Sequence, residues 1–182
     1  MRAVVGLGNP GPDYAPTRHN VGFWVLERIV RRGRFRVNRY DWGEVHQAAE
    51  SILLRPLTFM NRSGEAVAEL VRLFFLSPQD ILVVYDDVDL LVGELRLRPK
   101  GGPGTHRGMR SVLEALGTEA VPRLRIGIGT PPPGMELSQY VLSPPLKEEV
   151  PLLAAAADRA AELAEIFLRA GLAAALDEYA RS

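Results

Sequence analysis

Apolar runs of strand length alternating with amphipathic helical stretches predict an α/β fold with a central sheet covered on both faces. Three observations carry that prediction. Val4-Val5-Gly6-Leu7 and Ile81-Leu82-Val83-Val84-Tyr85 are short apolar runs closed by turn or acidic residues, as buried strands are. Leu95 and Leu97 alternate with Arg96 and Arg98, giving a strand with one apolar and one charged face. Between such runs, apolar residues recur at helical spacing.

Taken in order, Val4–Leu7 forms the first strand. Gly8 to Pro16 is a loop, because Pro10, Pro12 and Pro16 block a continuous helix. A helix follows from Asn20, a favourable N-cap, with Val21, Trp24, Val25 and Ile29 on one face. Residues 44–56 read as two short strands. Ser63 is placed to cap a helix that turns Val67, Leu70, Val71 and Phe74 inward. Ile81–Tyr85 is the clearest strand, and Asp86 stands at its C-terminal end. After the Leu95/Leu97 strand, Lys100 to Gly104 is a Gly-rich loop. Met109, Val112, Leu113 and Leu116 suit a helix, and Leu124, Ile126 and Ile128 share one face of a last strand. From about Val150 an Ala- and Leu-rich helical segment closes the chain. No internal repeat or linker divides it, so 182 residues, 47% hydrophobic and 24% charged, are expected to form one domain spanning 1–182.

Composition removes several chemistries. Without cysteine there is no disulfide, no thiolate metal site and no thiol nucleophile. The N-terminal apolar run is too short for a signal peptide, and no run reaches membrane-spanning length. A cytoplasmic protein without membrane partners is expected. Formal net charge is +0, but residues 1–110 carry 16 Lys+Arg against 12 Asp+Glu, and residues 111–182 carry 6 against 10. That division could place a positive face on one side, or reflect no more than solvated surfaces.

Gly6-Leu7-Gly8-Asn9-Pro10-Gly11 fits G-x-G-x-x-G, and Arg31, Arg32, Arg34 and Arg36 stand where a dinucleotide fold could meet a 2′-phosphate. An NADP-binding oxidoreductase is therefore one reading. Its fingerprint requires a helix to open at the glycines, and Pro12 and Pro16 oppose that. Asp86-Asp87-Val88-Asp89 could bind Mg²⁺, but no G-x-x-x-x-G-K-[ST] loop supplies a phosphate cradle, and no H-E-x-x-H pattern suggests zinc. G-x-S-x-G is absent, so no nucleophile elbow is expected. Attack by water is the simplest hydrolytic chemistry left. Of the three histidines, His19, His46 and His106, His19 lies just before a helix start, where the dipole favours a neutral ring able to act as a base. Asp86 could hold its tautomer. Arg96 and Arg98, on one strand face, suit a phosphate clamp or a charge-protected sheet edge.

Together these segments resemble the bacterial peptidyl-tRNA hydrolase family. The resemblance rests on Val-Gly-Leu-Gly-Asn-Pro-Gly (5–11), Tyr14, Thr-Arg-His-Asn (17–20) with Gly22, and Thr-Phe-Met-Asn-Arg-Ser-Gly (58–64). It continues through Tyr-Asp-Asp-Val-Asp-Leu (85–90), the Gly-rich stretch 101–108, Arg-Leu-Arg-Ile-Gly-Ile-Gly (123–129) and Tyr-Val-Leu (140–142). It implies a single-domain three-layer α/β/α sandwich around a mixed sheet, acting as a monomer without metal or other cofactor on peptidyl-tRNA. His19 then matches the general base and Asp86 the carboxylate that stabilises it. Asn9 matches the amide that separates blocked from free aminoacyl esters, and Asn61 a second active-site amide. Tyr14, Phe59 and Met60 match walls against the 3′-terminal nucleotide and peptide. Arg96 and Arg98 match a basic pair on the tRNA 5′-phosphate, and Arg125 a further tRNA contact. One departure stands out: the family's His-Asn-Gly reads His106-Arg107-Gly108 here. Arg107 has no acceptor, so the asparagine's role does not transfer intact, and a phosphate contact is expected of it instead. Thr105 and Pro103 also replace a glycine and a histidine.

Overall fold

A computed structural model describes residues 1–181. Seven strands form one mixed sheet in the order β2-β3-β4-β1-β5-β7-β6. At its centre are β1 (Arg2–Gly6), β4 (Ser51–Pro56), β5 (Ile81–Asp87) and β7 (Arg123–Gly127). β1 pairs in parallel with both β4 and β5, and β5 with β7. The outer strands run antiparallel: β3 (Gly43–Ala48) on β4, β2 (Arg36–Tyr40) on β3, and β6 (Leu95–Arg98) on β7.

Alternation along the strands supplies two apolar faces. Val4, Leu53, Leu82, Val84, Leu124 and Ile126 point to one face, where they meet α1 (Val21–Arg32), α5 (Val150–Ala170) and α6 (Leu172–Ala180). Ala3, Val5, Ile52, Leu54, Val83 and Tyr85 point to the other, under α2 (Ser63–Phe74) and α3 (Arg107–Leu116). The result is the expected three-layer α/β/α sandwich. A short helix, α4 (Leu137–Val141), lies between β7 and α5.

Three local expectations are corrected. Asn20 precedes α1 but its side chain makes no cap bond; it holds Asn9 instead. Ser63 is the first residue of α2 rather than its cap, and its hydroxyl donates to the Met60 carbonyl. The C-terminal helical segment is two helices, broken at Gly171, where φ is +94°. Residues 44–56 do form two strands, but β2 before them was not expected. The Gly6–Gly11 fingerprint closes β1 without opening a helix: α1 begins only at Val21, which removes the dinucleotide-binding geometry. α1 is seated so tightly that a Cβ on Gly22 would lie 2.5 Å from the Val84 carbonyl oxygen. That close approach brings the turn before α1, and His19 with it, against the end of β5.

Candidate active site

A cleft of about 640 Å³ opens at the C-terminal ends of β1, β4 and β5, the usual ligand edge of parallel sheets. Asn9 follows β1, Met60 and Asn61 follow β4, and Asp86 is the last residue but one of β5; all line the cleft with His19, His106 and Arg107.

Asp86 is its electrostatic centre. Its carboxylate is 2% exposed. It meets His19 Nδ1 at 2.7 Å through Oδ2 and His106 Nε2 at 2.8 Å through Oδ1. Burial pushes the carboxyl pKa up, but the charges and hydrogen bonds of the two histidines hold it well below the usual range. An ionised carboxylate only accepts hydrogen bonds, so both facing ring nitrogens carry protons. His106 Nδ1 in turn accepts the Met109 N–H at 3.0 Å, capping α3. These two bonds fix which His106 nitrogen faces Asp86 and which faces α3. His19 spends its Nδ1–H on Asp86, which leaves the Nε2 lone pair for the cleft. Burial lowers the pKa of His19, yet the charge of Asp86 and its hydrogen bond prevail and raise it above 6.5. The Asp86 carboxylate is thus what raises the pKa of this ring.

The donor atoms of His19, Asp86 and His106 lie within 4.8 Å of one another, a grouping that could hold a metal ion. As arranged, the two facing nitrogens present protons rather than lone pairs, and an ion would have to displace both. Asp87 and Asp89 are not in this grouping. Asp87 pairs with Arg125 at 3.0 Å and accepts the Asp89 N–H at 2.8 Å.

Asn9, 7% exposed, has a fixed amide orientation. Its Oδ1 accepts the Met60 N–H at 2.7 Å, and its backbone N–H and carbonyl bond the Asn20 side chain at 2.9 Å each. Its Nδ2 has no partner among the described residues and is left as a donor. Met60 presents its N–H because Phe59, at φ +64° and ψ 156°, adopts a conformation that favours glycine.

A family model described as peptidyl-tRNA hydrolase matches residues 3–182. The chain belongs to the peptidyl-tRNA hydrolase family. It is 46% identical to the peptidyl-tRNA hydrolase of Symbiobacterium thermophilum, over 98% of each chain. It is 43% identical to that of Thermotoga petrophila, over 97% of this chain and 95% of the relative. A crystal structure of peptidyl-tRNA hydrolase from Acinetobacter baumannii superposes with a TM-score of 0.89 at 33% identity, covering 97% of this chain and 93% of that one.

In this family member the residues singled out from sequence fall into three places. His19, Asp86, Asn9, Asn61, Phe59, Met60, Arg107 and Arg125 all line the cleft. Tyr14 stands just outside, its ring edge-on to Phe59 at 6.1 Å. Arg96 and Arg98 lie beyond the cleft on β6, and register puts them opposite Arg125 and Arg123 on β7. Four arginines thus share one sheet face. Arg125 is held by Asp87 and Arg96 by Glu94 at 3.3 Å, while Arg98 is exposed. Arg107 is exposed at the start of α3, its guanidinium without a hydrogen bond or ion pair among the described residues.

Two contributors escaped the sequence reading. His106 had no role there beyond its place in the Gly-rich loop. Arg18, 4% exposed, ties the turn carrying His19 to α4 and to the start of α5: it bonds Glu149 at 3.0 Å and the Tyr140 carbonyl at 3.2 Å, with its guanidinium 4.0 Å over the Tyr140 ring. Neither partner is near in sequence, so only the fold could reveal them.

Proposed function

We propose that this chain hydrolyses the ester between a peptide, or an N-blocked amino acid, and the 3′ end of tRNA, freeing the tRNA for reuse after peptides drop from the ribosome. The observation that carries this reading is the Asp86 carboxylate shared by two histidines, with only His19 left a basic nitrogen toward the cleft.

His19 Nε2 draws a proton from water, and the hydroxide attacks the ester carbonyl. The imidazolium that forms is stabilised by Asp86 at 2.7 Å. Asn9 Nδ2 and the Asn61 amide are the side-chain donors on hand for the tetrahedral oxyanion and the blocked amine. The ribose hydroxyl leaves, taking a proton from His19. Phe59 and Met60, with Tyr14 behind Phe59, form the wall for the terminal nucleotide and peptide. Arg125 extends the cleft toward Arg96 and Arg98, which grip tRNA phosphate, and Arg107 supplies a further cation at the cleft. No step calls for a metal or organic cofactor. Residues 1–182 act as one domain and as a monomer in the cytoplasm. Among the described residues no helix is long and apolar enough to cross a membrane.

The test compares N-acetyl-aminoacyl-tRNA with unblocked aminoacyl-tRNA, with and without chelator. Cleavage of the blocked ester alone, indifferent to chelator, is expected. Chelator-sensitive turnover would transfer the chemistry to a metal at the His19–Asp86–His106 group, and binding without turnover would make the chain a tRNA-binding module.

A further inference from the structure

Arg123 is a fully buried arginine, 2% exposed, with no carboxylate in ion-pair contact among the described residues. It begins β7 on the same sheet face as Arg125. Its guanidinium has five N–H donors, and each finds an oxygen. Nε donates to the Val121 carbonyl at 2.9 Å. Nη1 donates to the Gly102 carbonyl at 3.0 Å and the Tyr85 hydroxyl at 3.5 Å. Nη2 donates to the Gly101 carbonyl at 2.6 Å and the Glu119 carbonyl at 3.4 Å. A buried cation satisfied almost wholly by backbone carbonyls organises the chain segments that supply them.

Two of those carbonyls belong to the Gly-rich loop over the cleft. Gly101 has φ +155°, and its N–H also bonds the Glu119 carbonyl at 3.1 Å. At its other end the loop is fixed by His106, through Asp86 and the Met109 N–H. Tyr85 touches both anchors: its hydroxyl faces Arg123, and its ring centroid is 4.8 Å from that of His106. Burial pushes the Tyr85 hydroxyl up to about 12, so it stays a neutral phenol. Between the anchors, Pro103, Gly104 and Thr105 line the cleft, and Gly104 has nothing within 4 Å of where a Cβ would stand.

We propose that Arg123 is a positioning residue that latches the base of this loop, so that residues 103–105 are held over the cleft to bind the acceptor end of the substrate. The proposal rests on the hydrolase reading given above. Arg123 acts through the loop and touches no reacting atom. His106 keeps its own two bonds without Arg123, so the latch sets substrate binding and leaves the proton chemistry alone.

The test is Arg123→Lys, which keeps the charge but cannot reach five acceptors, assayed on N-acetyl-aminoacyl-tRNA. KM should rise about tenfold or more as the loop loses its placement. kcat should stay within about threefold and the pH profile should not move. In the free protein, amide exchange should quicken between Gly101 and His106 while the β5 amides keep their protection. Gly101→Ala is the second variant, made from the loop side. Its Cβ would crowd Arg123 Nη1 at 3.3 Å at a φ that L residues rarely adopt, without removing the buried charge. It should show the same KM rise, and it decides the matter should Arg123→Lys not fold. Wild-type turnover is the control: its absence sinks the hydrolase reading, whereas the exchange result stands apart from activity. Unchanged KM in a folded variant, a loss confined to kcat, or exchange quickened equally through β5 and β7 would overturn the latch.

Discussion

Replacing Asp86 with asparagine should do more harm than the loss of one charge suggests. Asp86 receives two ring N–H groups, at 2.7 Å from His19 and 2.8 Å from His106. An asparagine offers one accepting oxygen and one donating NH₂. It can satisfy one histidine only, and its NH₂ must then face the other ring's N–H at hydrogen-bond distance. His106 cannot change tautomer without giving up the Met109 N–H that caps α3. His19 has no second bond of that kind among the described residues, so His19 yields. It moves its proton to Nε2 and accepts from the introduced amide with Nδ1, which removes the basic nitrogen from the cleft. Asp86→Asn should therefore cost kcat about 10²–10⁴-fold, comparable to removing the base itself. Asp86→Ala leaves no opposing donor, and water can accept from both rings, so it should keep more activity than Asp86→Asn. The residual activity of Asp86→Ala should also have its acid limb at lower pH, because the charge that raises the His19 pKa is gone. Single-turnover rates on N-acetyl-aminoacyl-tRNA across about pH 5–9 measure both effects. An Asp86→Asn variant more active than Asp86→Ala, or one with wild-type kcat, would refute the tautomer reasoning.

The Arg face and the cleft wall give two further expectations. Arg96→Ala with Arg98→Ala should weaken tRNA binding and lower the slope of log K against log salt by roughly 0.7–0.9 for each phosphate no longer gripped; a short N-blocked ester lacking the tRNA body should be cut as before, and equal losses on both substrates would make these arginines structural. Phe59→Gly should relieve a conformation that costs on the order of 1–3 kcal/mol, partly offset by glycine's greater freedom when unfolded. Its melting temperature should hold or rise while KM increases for lack of the ring, and a clear fall in melting temperature would show that Phe59 is not strained.

Strong local signals were legible without a structure. The apolar runs Val4–Leu7 and Ile81–Tyr85 fall in the buried strands β1 and β5, Leu7 lying one residue past β1, because continuous apolar runs have nowhere else to go, and the Arg96/Arg98 face follows from strand alternation. That placed Asp86 at the end of β5 and His19 before α1. β2 was illegible because its residues are mostly exposed on a sheet edge and carry no apolar alternation. The cap assignments at Asn20 and Ser63 failed because tertiary partners, Asn9 and Met60, claimed those side chains. His106 and Arg123 act through residues about 20 positions away, a relation no local pattern encodes.

The central claim is that His19, poised by Asp86, is the base. The most direct measurement follows the ring nitrogens of His19 by NMR through a pH titration, alongside the pH dependence of kcat/KM on N-acetyl-aminoacyl-tRNA. Because Asp86 raises the pKa of His19, the neutral base is lost as pH falls through a midpoint above 6.5. The account predicts a neutral ring protonated at Nδ1, and an acid limb of activity that coincides with the His19 titration. Full activity persisting well below that midpoint, with His19 already an imidazolium, would contradict it.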